Sequence, residues 1–216
     1  MADPAALPDT LPVFPLTGVL LLPRGRLPLN IFEPRYLAMT RDALAAERLI
    51  GMVQPANPPI RETNPAIYPI GCAGRITSFS ETDDGRFLIT LTGVSRFRIR
   101  EELPLLSGYR RAVADWDDFA ADLAPDEARF DRARLVRALK AFFAQRRVEA
   151  DWSAVEQAPA EHLVTSIAMM CPFAPNEKQA LLEARDLGER ARLLTALVEM
   201  NAGGPAPDPE AGVTRH

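Results

Sequence analysis

Two cysteines, two histidines and a run of alternating arginines are the side chains here best suited to nucleophilic, metal-binding or anion-binding chemistry. Cys72 and Cys171 lie roughly a hundred positions apart in segments of different kinds, which predicts buried reduced thiols rather than a zinc site or a disulfide framework. His162 follows Glu161 on a predicted helix with no second ligand one turn on, and His216 lies in a glycine- and proline-rich tail, so metalloprotease spacing is missing. The acid pairs Asp83-Asp84, Glu101-Glu102 and Asp117-Asp118 are adjacent in sequence, and on a strand adjacent side chains point to opposite faces. They are read as solvated turn residues. Arg96, Arg98 and Arg100 in SRFRIR alternate and therefore project from one face of a strand, with Phe97 and Ile99 turned to the core. With Arg110 and Arg111 nearby, they form a candidate stripe for phosphate groups. No G-x-x-x-x-G-K-S/T loop occurs to cradle a nucleotide. No residue is assigned to a catalytic, cofactor or metal role.

Composition weighs against the phosphate reading. The formal net charge is −4 and the sequence pI is about 5.3, which disfavours a general backbone binder. Aromatic stacking residues do not interleave with the arginine stripe. All but two of the 25 basic residues are arginine, Lys140 and Lys178 being the exceptions, a bias that fits a GC-rich genome better than a selected guanidinium surface. At 216 residues and 47% hydrophobic content the chain can bury a substantial core without a metal or disulfide staple. The opening MADPAALPDT has no basic and apolar leader pattern, and no apolar run is long enough for a membrane span, so a soluble cytoplasmic protein is expected.

The elements that would position any site fall into two halves. LPVFPL reads as a strand, LLPRGR as a turn in which Pro23 stops pairing and Gly25 takes positive φ, and LPLNIF as a second strand. Pro34 opens a helix to about Ala46, because its missing N–H is unpaired at that position anyway. RLIGMVQ is a third strand, followed by the proline-rich loop from Pro55 to Pro65. IYPIGCAGRITSF and RFLITLTGVSRFRIR flank SETDDG, where Asp84-Gly85 signals a hairpin, and YRRAVADW supplies a further strand. Gly93 marks a bulge or tight bend. From Pro125 the period becomes helical. Leu135, Leu139, Phe142 and Phe143 share a face, AEHLVTSIAMM forms a helix ended by Pro172, and Asn176 with Gln179 forms a capping box for the next. Gly188 is expected to end that helix before ERARLLTALVEM, and the stretch 202–216 to be disordered.

The order LPVFPL to IFEPRY, then GCAGRITSF with DDGRFLITLTGVSRFRI, then PNEKQALLEARDLGERARLLTALV, resembles the amino-terminal substrate-binding domain of the Lon ATP-dependent proteases and the stand-alone bacterial proteins built from it. The resemblance implies an α+β fold, a PUA-like β-barrel over 8–118 followed by a carboxy-terminal α-helical bundle over 119–201. One departure is Arg24, where relatives often place glycine in a Pro-Gly-Gly turn. For peptide hydrolysis that family pairs a serine with a lysine, but Lys140 and Lys178 lie on predicted amphipathic helices and no strained serine turn is present, so a Ser166–Lys178 dyad is not expected.

What the resemblance implies for function is a non-enzymatic module that contacts unfolded or extended polypeptides, as an adaptor or quality-control factor linked to an ATP-dependent protease. The contact surface is expected around Arg24, Arg26, Phe32, Glu33 and Tyr36 with the Pro55–Pro65 loop, where a peptide pairs with an open strand edge and packs on Phe32 or Tyr36. Core roles for Phe32 and Tyr36 and a helix-start role for Glu33 compete with that reading. PUA-like barrels also serve as RNA modules, which gives the arginine stripe as the alternative, and self-association is a third reading.

Overall fold

The computed structural model describes residues 7–56, 65–126 and 129–202. Residues 57–64 of the proline-rich loop expected from Pro55 to Pro65, and 203–216 of the disordered tail expected over 202–216, lie outside them. Among the described residues six strands occupy the first half: β1 (Thr10–Pro15), β2 (Arg26–Ile31), β3 (Leu49–Val53), β4 (Ile70–Glu81), β5 (Phe87–Leu106) and β6 (Tyr109–Asp115). Helix α1 (Pro34–Ala45) crosses between β2 and β3. The strand order is β2-β5-β4-β3-β1-β6, and β5 also pairs with β6, so the circuit through β5, β4, β3, β1 and β6 closes on itself. β1 and β3 are parallel because α1 carries the chain back over the sheet between them, whereas the other pairings are antiparallel.

The 20-residue β5 makes this closure possible. Its first half pairs with β2 and β4, its second with β4 and β6. Register slips leave Val94 and Arg100 unpaired on β5 and Thr77 unpaired on β4, and such bulges add the bend and twist that curl a sheet. Gly93 sits beside the first slip for a different reason. A Cβ there would lie 2.0 Å from the Leu22 carbonyl oxygen, so only glycine lets the 22–25 turn close onto β5. That turn also departs from expectation. Arg24, not Gly25, takes the left-handed conformation (φ 62°), and a Cβ on Gly25 would meet the flexible end of the Met169 side chain, Sδ at 2.3 Å.

A 3₁₀ segment (Asp117–Leu123), kinked at Phe119, leads to the helices α2 (Arg132–Gln145), α3 (Trp152–Gln157), α4 (Ala160–Met170), α5 (Pro175–Glu183) and α6 (Leu187–Ala202). Asp131 caps α2 by accepting from Arg134 N–H at 2.9 Å, which sets the start several residues later than the apolar period alone indicated. The capping assignment at α5 is corrected. Pro175 occupies the first turn, Glu177 accepts from Ala174 N–H at 2.7 Å, and Gln179 is buried, donating to the Ile70 carbonyl and to Glu183. Gly188 lies inside α6 rather than ending α5, because Asp186 and Glu189 already cap the new helix start.

Two hydrophobic clusters form. The smaller lies within the closed sheet around Phe97, with Leu11, Val13, Leu49 and Val53. The larger runs without a break from Phe14, Met39 and Phe87 on the sheet side to Leu135, Phe142, Leu163 and Leu194 on the helices. The two halves therefore share one core.

Candidate functional site

The five residues singled out around the first turn and α1 have different fates. Arg24 is committed to structure: its guanidinium donates to the Asp122 carbonyl at 2.5 Å and pairs with Glu161 on α4. Tyr36 is 8% exposed, its ring 4.2 Å from that of Phe14 and covered on one side by the Arg35 guanidinium, and burial raises its pKa above the ordinary phenol value. Arg26 is exposed on β2. Phe32, at the joint between β2 and α1, is 39% exposed. Glu33 is the N-cap residue just before α1, its carbonyl accepting from Tyr36 and Leu37 and its carboxylate pairing with Arg35 at 2.9 Å. Surface and core roles thus divide along the helix period, Tyr36, Met39, Thr40 and Ala43 facing inward.

The fold adds a neighbour that sequence reading missed. The turn of the β5–β6 hairpin lies beside the first turn of α1: a Cβ on Gly108 would sit 3.4 Å from the Arg35 Cβ, and Tyr109 Oη donates to Asp42 at 2.7 Å. Leu105 and Leu106 at that tip are 50% and 41% exposed. The hairpin tip that carries the exposed Leu105 and Leu106 is thus packed along the helix that Phe32 leads into. Only the tertiary fold joins positions so far apart in sequence.

On the other side of β2, the outer face of β2, β5 and β4 forms an open groove of about 390 Å³, lined by Pro28, Asn30, Ser78, Ser80, Leu88 and Thr90. It is shallow, and Leu29 and Ile89 complete a lining that is more apolar than polar and carries no charged side chain.

The arginine stripe is dismantled by the fold. Arg96 is 3% exposed and binds Asp122 through Nε at 2.8 Å and Nη2 at 2.9 Å. It also donates to the carbonyls of Leu182, Ala184 and Arg185 at the end of α5. Arg98 pairs with Asp118 at 3.0 Å, Arg100 with Asp115 at 2.9 Å and Arg110 with Glu102 at 2.8 Å. Asp115 comes from the end of β6, while Asp118 and Glu102, read as solvated turn residues, supply the other two carboxylates that neutralise the stripe. Arg190 completes the buried cluster, donating to the Leu181 carbonyl at 2.9 Å, and burial pushes its pKa down to about 10. The signal for this cluster was present but weak: an aspartate in the middle of DDFAADL has no local turn to serve.

Lys178 is buried and donates to the Gly18 carbonyl at 2.7 Å, with burial lowering its pKa. No hydrogen bond to Ser166 occurs among the described residues. Nor does any metal-sized group of His, Cys, Asp and Glu occur among them. Cys72 and Cys171 are free and buried, and burial raises both thiols, Cys171 to about 11 and Cys72 further. Since the thiolate is the reactive form, both are expected to resist a disulfide reagent at pH 8 in the native protein and to react after denaturation. Rapid labelling of the native chain would show that one of these segments opens. Among the described residues no helix is long and apolar enough to cross a membrane.

The model of the family described as ATP-dependent protease La (LON) substrate-binding domain matches residues 10–200. Among curated proteins the chain is 26% identical over 196 residues to Lon protease 2 of Myxococcus xanthus, covering 89% of this chain and 24% of that protein. It is likewise 26% identical over 204 residues to Lon protease 2 of Thermus thermophilus, again covering 89% of this chain and 24% of that protein. The chain thus spans about a quarter of the length of these relatives. The crystal structure of a Lon N-terminal domain protein from Xanthomonas campestris superposes with a TM-score of 0.61 at 25% identity, covering 87% of this chain and 97% of that one. The N-terminal domain of a Mycobacterium avium complex Lon protease gives 0.62 at 16% identity, over 88% of this chain and 97% of that one, a likeness of fold.

Proposed function

Because this chain belongs to the ATP-dependent protease La (LON) substrate-binding domain family, we propose that it is a non-catalytic module that binds unfolded or extended polypeptides. The observation that carries the reading is the match along residues 10–200, nearly the whole described chain. The closed strand circuit supports a PUA-like barrel over 8–118, and the packing of α6 against α2, α4 and α5 supports a helical bundle over 119–201. The binding surface is centred on Phe32 and Glu33, with Leu105 and Leu106 on the neighbouring hairpin tip and Arg26 at the far end of β2; Arg24 and Tyr36 are taken up by packing contacts. Side-chain contact with apolar client residues supplies the affinity, and Arg26 and Glu33 set the charge of the rim. The module acts in the cytoplasm, as an adaptor or quality-control factor handing clients to an ATP-dependent protease.

The arginine stripe favours no RNA reading, since Arg96 is buried and Arg98, Arg100 and Arg110 each hold a carboxylate.

The test is fluorescence anisotropy with a permanently unfolded polypeptide, reduced and carboxymethylated α-lactalbumin, titrated with the protein. Saturable binding is expected, and Phe32→Ser should weaken it roughly tenfold, about 1.4 kcal/mol, with the unfolding midpoint unchanged. Absence of saturable binding by the wild type would refute the reading.

A further inference from the structure

β2 pairs with β5 on one side, and among the described residues its other edge meets no strand. The phase of the pairing is set where it begins. Gly93 N–H donates to the Gly25 carbonyl and Arg24 N–H to the Gly93 carbonyl, both at 2.8 Å. The register then runs unshifted from Arg26 opposite Thr92 to Ile31 opposite Phe87. Antiparallel pairs alternate between bonded and non-bonded, so Leu27, Leu29 and Ile31 turn their backbone groups to β5, while Arg26, Pro28 and Asn30 turn theirs outward. Among the described residues nothing bonds those outward groups.

Such an edge is a template for a second strand, and a second copy of the same edge fits its register. Two copies related by a two-fold axis at position 28 would set Arg26 of each opposite Asn30 of the other, an arrangement free of like-charge contact. Each of these end pairs would exchange two N–H···O bonds. At the centre, however, Pro28 faces Pro28: neither has an N–H to give, and each ring Cδ fills the space the opposing carbonyl needs. The central pair therefore loses both bonds and forces the strands apart, at the one position where the loss is doubled by symmetry.

We propose that Pro28 is an edge guard, placed at the outward-facing centre of β2 to prevent this edge from zipping onto a second copy of the chain. The inference goes beyond polypeptide binding, and its test needs no client, so the two can fail separately. Sedimentation equilibrium across a wide concentration range should show the wild type without β2-mediated association. Pro28→Thr, a β-favouring residue with an N–H, should associate at least about tenfold more tightly than wild type, with the mass rising toward twice the monomer. Moving the block along the strand, in Pro28→Thr with Asn30→Pro, should return the monomer. Pro28→Val serves as a second variant, and unchanged far-UV circular dichroism certifies folding of each. A folded Pro28→Thr or Pro28→Val that associates no more tightly than wild type overturns the proposal, as does failure of Asn30→Pro to reverse the association.

Discussion

Replacing Arg96 by methionine should cost about 3–5 kcal/mol of folding stability, the range for breaking a buried ion pair by removing one partner. Arg96 is 3% exposed, and its guanidinium ties β5 to the 3₁₀ segment and to the end of α5. It grips Asp122 on the 3₁₀ segment through two nitrogens, and the Arg96 N–H adds a third bond to the same carboxylate at 2.9 Å. Its remaining N–H groups satisfy the carbonyls of Leu182, Ala184 and Arg185, which the end of α5 leaves unpaired. Without it Asp122 is a buried charge facing no fork, and the helix end loses its cap. Arg96→Lys should recover only part of the loss, because a point charge cannot reach both carboxylate oxygens and the carbonyls together. Arg96→Met combined with Asp122→Leu should be less damaging than Arg96→Met alone, since no orphaned charge remains. Urea midpoints for the four proteins decide the matter; a loss under about 1 kcal/mol for Arg96→Met would mean the pair is spectator rather than joint.

Gly93→Ala is expected to be comparably severe, about 3 kcal/mol or more. The added Cβ would meet the Leu22 carbonyl oxygen at 2.0 Å and its carbon at 2.7 Å, both backbone atoms with little room to yield. Relief by movement is opposed from both sides, because Gly93 accepts from Arg24 N–H and donates to the Gly25 carbonyl. The turn carrying Leu20, Leu21 and Leu22 into the core would have to lift away. Gly85→Ala gives the contrast: it has positive φ (79°) but open space around it, so only backbone strain of about 1 kcal/mol is expected. Equal midpoints for Gly93→Ala and wild type would show that the turn is free to move off β5.

These two positions also show what a sequence discloses and what it does not. Strand and helix existence followed from period and punctuation: LPLNIF, AEHLVTSIAMM and the Asp84-Gly85 hairpin lie where alternation, apolar spacing and turn chemistry put them. Gly93 was legible as special, but its reason, the Leu22 backbone arriving from 71 positions earlier, is tertiary. Strand alternation put Arg96 on one face with Arg98 and Arg100, yet the face is buried at one end and wet at the other, because the 3₁₀ segment and α5 cover only Arg96. At the candidate surface the sequence supplied Arg26, Phe32 and Glu33. Leu105 and Leu106 could not be added until β5 and β6 were known to turn back beside α1. Helix boundaries failed where a cap overrode the local rule, as at Ala174 and Glu177 in place of Asn176 and Gln179.

The most direct test of polypeptide binding at this surface is a backbone and methyl NMR titration with reduced, carboxymethylated α-lactalbumin. Saturable shifts should cluster on Phe32, Glu33, Leu105 and Leu106 and in Phe32→Ser should need roughly tenfold more polypeptide to saturate. Shifts confined to the exposed faces of α2 and α6, or no saturable shifts at all, would contradict a binding site at the start of α1.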